Sequence, residues 1–333
     1  MATIPRQEVL AHAALLQHVQ REAGAKAKAA IRAWLAEHPT WEAADLRNFA
    51  IAMMQAIVDD YGAAASSLAC DLYDGTMGGE YPPAVPWDGG FARELERTVR
   101  YQLQKALDGD LDGFADAMDA AAQYYVRQYA NETTMANCER DSRAYAPGGL
   151  DDDEASHGPL HQPMPMDRPL HGKGNALATP RRRRRSDGKP IELGEPAFAR
   201  VPTGAETCTY CLMLASRGFA YHSAKSAGHA DHRGCNCAIV PGHKGDAVEG
   251  VDEGALYDCW RELEALEAWQ AGHPDEMDAA ELERRKKAIV EGYGDKVMVD
   301  SSPGAVRKLA KSNPALSWYE PRARMAANYE GGR

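Results

Sequence analysis

Long apolar runs are missing from this chain. No stretch of eighteen apolar residues occurs in its 333 residues, which argues against a membrane-spanning helix. Positive charge is also in deficit, with 38 Lys and Arg against 49 Asp and Glu and a formal net charge of −11. The surface as a whole is therefore no nucleic-acid footprint, and any DNA contact has to be local. The opening MATIPRQEVL has neither a basic n-region nor an apolar h-region, so no secretion signal and no oxidising compartment are implied. No Ser-His-Asp or paired-carboxylate arrangement stands out. What is present, 44% hydrophobic residues, supplies a sizeable core for two domains or for one domain with appendages, in a soluble globular protein.

Cysteine is scarce at seven residues, yet four of them fall within thirty positions, in TCTYCLMLASRGFAYHSAKSAGHADHRGCNCAIVPG. The pattern is C-x2-C at Cys208 and Cys211, twenty residues of loop, then H-x2-C-x-C at His232, Cys235 and Cys237. Two close-spaced pairs brought together from opposite ends of a loop fill the tetrahedral shell of Zn2+, and they read as a closed structural site. Five donors compete for four places. An all-cysteine shell uses Cys235 and Cys237, which have one residue between them; His232 with Cys235 has the easier spacing. Two disulfides or buried reduced thiols are the alternatives, and Cys70, Cys138 and Cys259 read as small buried hydrophobes.

The remainder divides into segments. Residues 1–143 read as a helical domain. Leu10, Leu15, Leu16, Val19, Ile31, Trp34 and Leu35 follow helical spacing up to His38-Pro39, and Thr40 is expected to cap a second helix striped by Leu46, Phe49, Ala50, Met53, Ile57, Tyr61 and Leu68. A Gly- and Pro-rich loop, DGTMGGEYPPAVPWDGG, follows. Phe91 to Leu107 and Leu111 to Tyr129 then mark two more helices of a bundle. Residues 144–200 hold eight of the nineteen prolines, the acidic run Asp151 to Glu154 and the five arginines Arg181–Arg185, with few large apolar side chains, and read as a flexible linker. The arginines are a candidate for non-specific phosphate contact. A zinc module at 201–250 is followed by a helical flank and tail at 251–333. Helices are expected from Asp252 to Ala271 and from Asp278 to Val290, and an extended tail interrupted by Pro303, Pro314 and Pro321 carries Trp318 and Tyr319. The fold class expected is mainly α: a helical N-terminal domain, then a small zinc-stapled α+β module with a helical C-terminal flank.

The run RVPTGAETCTYCLMLASRGFAYHS, with HRGCNCAIVPG and EGVDEGALYDCW after it, resembles the phage minor capsid proteins of the Mu-F-like head morphogenesis group, in the form found in actinobacterial phages and prophages. The likeness is close over Arg200 to Trp260 and weaker in the helix ending NETTMANCERDSRAY, whereas the long 144–199 segment departs from it. The resemblance implies a structural minor capsid protein that assembles in the host cytoplasm and resides in the capsid interior. Its implied partners are the portal, the major capsid protein, or both, with packaged DNA nearby.

The competing reading is a metal-dependent DNA endonuclease, because His229-Ala230-Asp231-His232 resembles the H-x-D-H core of HNH enzymes. Cys235 and Cys237 follow so closely that they draw His232 toward the zinc shell, and the second C-x2-C of such enzymes is absent. A catalytic zinc keeps one position open for water, which five crowded donors do not leave. The two Glu-Leu-Glu runs read as ordinary helix surface, and GYGDKV is too weak a glycine pattern for phosphate. The expectation is a protein that is not an enzyme.

Overall fold

A computed structural model describes residues 2–79, 81–145, 194–203, 208–224, 237–301 and 303–311. The protein is mainly helical. A two-residue strand, β1 (Thr3–Ile4), leads into α1 (Arg6–Glu37), α2 (Ala43–Thr76), α3 (Ala92–Leu107) and α4 (Leu111–Tyr145). Beyond them come β2 (Pro196–Val201), α5 (Thr209–Ala215), β3 (Ala238–His243), β4 (Ala247–Val248), α6 (Glu253–Gly272), α7 (Ala279–Tyr293) and α8 (Pro303–Ala310).

The four long helices bury one another's stripes. Leu46, Ala50, Met54, Ile57 and Val58 of α2 meet Leu95 and Val99 of α3, Phe114, Met118, Tyr125 and Val126 of α4, and Ala23, Ala27 and Ile31 of α1 in one core. The periodic apolar positions force this arrangement, because an isolated amphipathic helix leaves its stripe wet. Lys28 pairs with Asp116 and Arg32 with Asp112, which sets α1 antiparallel to α4. Gly62 sits in mid-helix because the Tyr129 ring packs where a Cβ would stand.

Helix ends depart from the sequence reading in two places. Thr40 does not cap α2, which begins at Ala43 after Glu42 with no side-chain cap bond. Pro303 does not interrupt an extended tail; it opens α8, as suits a residue whose missing N–H would be unpaired in a first turn. The α6 and α7 starts follow local capping: Asp252 accepts from the Gly254 and Ala255 amides at 2.9 and 3.2 Å, and Asp278 from Glu281 at 2.8 Å.

β2 occupies residues that the sequence reading gives to the linker. Pro196 to Val201 are all buried and pair antiparallel with His243 to Ala238, Pro196 opposite His243 and Val201 opposite Ala238. One face, Ala197, Ala199, Val201, Ala238 and Val240, meets Ile4, Val9, Phe219, Val248 and Val299. On the other, Phe198 and Ile239 meet Leu214 and Tyr221, and Tyr73, Met77, Met135 and Cys138 of the long helices. β1 pairs in parallel with β4, and the Arg6 guanidinium donates to the Asp295 and Met298 carbonyls at 3.0 and 2.5 Å. The N-terminal helices and the β2–β3 region thus share cores. Among the described residues no helix is long and apolar enough to cross a membrane.

Candidate metal centre

Three of the five sequence-predicted donors come together. Cys208 is the residue before α5, in extended backbone, and its thiol accepts the Cys211 amide N–H at 3.2 Å. Such a bond fixes the first-turn geometry of a C-x2-C pair and favours a thiolate over a thiol at that sulfur. Cys211, 1% exposed, lies one turn into the helix; Cys237, 6% exposed, directly precedes β3. The sulfur-bearing side chains of Cys211 and Cys237 pack together with Cys208 against them. The approach is built by the fold: α5 packs on the β2–β3 face that carries Phe198 and Ile239, and period-two alternation puts Cys237 on that same face. Soft sulfur donors at a helix start and a strand start, two of them shielded from water, suit Zn2+ in chemical type.

The remaining predicted donors, His232 and Cys235, lie outside the described residues, as do His229, Asp231, Arg181–Arg185, Trp318 and Tyr319. Among the described residues alone, no three His, Cys, Asp or Glu side chains form a complete metal-holding group.

The other three cysteines behave as buried hydrophobes. Burial is the main cause that pushes the thiols of Cys70 and Cys259 up to about 11 and that of Cys138 higher still, so none is a ready nucleophile. Cys138 donates its S–H to the Ala197 carbonyl at 3.6 Å, tying α4 to β2.

A polar network in α4 went unread in the sequence. Thr133, Asn137 and Arg140 stand at i, i+4 and i+7 and hold the proline-rich strand of chain after α2. Trp87 donates its amide to Thr133 Oγ1 at 3.1 Å, Asn137 exchanges bonds with Val85 N–H and C=O at 2.9 and 2.8 Å, and Arg140 donates to the Pro82 and Pro83 carbonyls at 3.1 and 3.2 Å. Arg140 is itself held by a bidentate pair with Asp141, at 2.7 and 2.8 Å, and Tyr73 donates to the same carboxylate at 2.7 Å. Polar residues at helical spacing look like a solvated face; here prolines leave a loop with unpaired carbonyls, and those carbonyls recruit the polar face inward.

Comparison with known proteins bears on this arrangement. A family model described as VG15 protein matches residues 7–147 and 188–263, well over half of the chain, and takes in the four long helices, β2, α5, the three gathered cysteines and β3. Gene 15 protein of Mycobacterium phage D29 is 38% identical over 74 residues, 13% of this chain, and the chain spans only 27% of that relative's length. No solved structure matches. With both blocks of the family matched in order, the chain belongs to the VG15 protein family.

Proposed function

We propose that this chain is a structural protein of a tailed-phage or prophage head, a minor capsid protein of the Mu-F-like type, whose Cys-rich turn is closed by one structural zinc and which catalyses no reaction. The observation that carries the metal part is the packing of Cys208, Cys211 and Cys237 at the junction of α5 and β3. Cys208, Cys211 and Cys237 supply three ligands and His232 or Cys235 the fourth, and the metal contributes cross-linking only. Membership of the VG15 family and the partial likeness to a mycobacteriophage protein support a phage setting. The virion interior, near portal and DNA, is the location this reading assigns.

Two measurements test it. Metal analysis of the chain purified under reducing conditions is expected to find one zinc per chain, since the donor set fills one tetrahedral shell; a metal-free yet folded chain refutes the zinc. Co-expression with the portal and major capsid proteins of its own genome is expected to recover the chain in a complex with one of them. Metal-dependent DNA cleavage by the purified chain, lost in His229→Ala, would replace the structural reading with the nuclease.

A further inference from the structure

The face of the β2–β3 pair that carries Cys237 also carries a buried cation. Arg200 is 3% exposed and stands opposite Ile239, two residues along β3 from Cys237. Residues two apart on a strand share a face, so Arg200, Phe198, Ile239 and Cys237 line the side against which α5 packs. Diagonal neighbours on one face of an antiparallel pair are within reach of a long side chain. The arginine therefore sits beside Cys237 and under the helix that begins with Cys208 and Cys211.

Tyr210, between those two cysteines, registers the same neighbourhood. Burial is the main cause that raises its phenol, the Arg200 and Arg217 charges oppose the rise, and Cys211 and Cys208 add to it, so all four groups act on one ring. Two cations thus share the surroundings of the sulfurs.

We infer that Arg200 is a positioning residue for the thiolate–zinc site, its guanidinium serving as the fixed countercharge of a buried anionic complex. This rests on the zinc reading of the cysteines. Zinc held by three thiolates and an imidazole, or by four thiolates, is net negative. An anion enclosed by Phe198, Leu214 and Ile239 is disfavoured unless a cation is enclosed with it. Arginine suits that place because it keeps its charge when buried and presents a planar fork of donors to sulfur. Without metal the thiols are protonated and neutral, and the same arginine gains nothing from them. The inference therefore predicts a coupling: Arg200 strengthens zinc binding, and zinc strengthens the hold on Arg200.

The test uses the full reduced chain in competition with a chromophoric zinc chelator at one fixed pH, alongside thermal melts of metal-loaded and metal-stripped protein. Arg200→Met is expected to weaken zinc binding by about ten- to a hundredfold, the usual range for groups just outside the ligands, and to lower the melting point of the loaded form more than that of the stripped form. Arg200→Lys, which keeps the charge, is expected to retain most of the affinity. Unchanged zinc affinity in Arg200→Met overturns the inference, and so does an equal loss of stability with and without metal, which marks ordinary packing. If the Met variant does not fold, the Lys variant decides: retained affinity supports a countercharge, and a loss of tenfold or more overturns it. A wild-type chain that takes up no zinc fails the parent reading instead, so the two failures are told apart.

Discussion

His12 lies on α1 with its ring enclosed and hydrogen-bonded to the Leu68 backbone of α2, and burial lowers its pKa from 6.5 to about 4. The ring is neutral in the folded protein at pH 7. Between pH 6.5 and 4 the unfolded chain binds a proton that the folded chain does not, so stability rises with pH across that window and is lost as pH falls through it. Between pH 7 and 5 this single ring removes about 2 kcal/mol. Urea unfolding at the two pH values is expected to show that drop in the wild type and a drop smaller by about that amount in His12→Met; equal drops would exclude His12 as the cause. Asp141 presents the opposite case, a charge wholly buried but paired on three sides, with both Arg140 contacts and the Tyr73 hydroxyl. Asp141→Ala leaves the Arg140 guanidinium, itself largely enclosed, without its partner. The expected cost in denaturant unfolding is roughly 3 kcal/mol, the size found for breaking buried pairs. Neither residue announces itself in the sequence, because a lone His and an Asp-Ser-Arg run look the same on a wet helix as on a buried one.

The elements that were legible are those whose burial is written as a period. The stripes from Leu46 to Leu68 and from Phe91 to Leu107 name their helices to within a few residues, since large apolar side chains at three- and four-residue spacing can be hidden in no other way. β2 escaped because its interior is made of Ala197, Ala199 and a buried Arg200 behind a proline, small or charged residues that carry no alternation signal. Thr40 misled because a capping residue type was present three positions before a helix that starts without a cap bond. At the Cys-rich turn the spacing named the donors, and the elements explain the approach of three of them: one helix start and one strand start pressed together by the Phe198–Leu214–Ile239 contact. The same reasoning predicts the consequence of metal removal. Because the short α5, of seven residues, is too brief to persist by itself, chelation is expected to raise hydrogen exchange in α5 and at the start of β3 while α1 to α4 keep their protection; unchanged exchange at Thr209 to Ala215 would show that zinc does not hold that turn. In α4, Asn137→Ala is expected to raise exchange and protease sensitivity at Val85 to Trp87 without unfolding the bundle, because the side chain that pairs both backbone groups of Val85 is gone. Protection there that matches the wild type would mean that Thr133 and Arg140 suffice.

For the whole molecule, the two blocks of the family match meet at a point in space although 40 residues separate them in sequence. The first ends just past α4 and the second resumes before β2, and the Ser142 hydroxyl near the end of α4 donates to the Pro196 carbonyl at the start of β2 at 2.9 Å. Cys138 reaches Ala197 in the same way one turn earlier. The fold therefore fixes the entry and exit of the intervening segment side by side, and the energetic cost of connecting them grows only slowly with loop length. Removing 148–187 leaves eight residues between Tyr145 and Gly194, which span roughly 26 Å when extended, ample for ends that already touch through Ser142 and Pro196. Deletion of 148–187 is expected to leave the denaturant midpoint and the exchange protection of α1 to α4, β2 and β3 within error of the wild type, and to leave zinc uptake unchanged. Since the deletion also removes Arg181–Arg185, it separates the two roles open to the segment: loss of DNA retention in filter binding at low salt, with folding intact, would assign the arginines to phosphate contact, whereas unchanged retention would place any DNA contact elsewhere on the chain. A deleted chain that aggregates or loses the β2–β3 protection would show instead that part of 148–187 packs against the fold, and the side-by-side anchoring of Ser142 and Pro196 would then be a product of that packing and not its precondition.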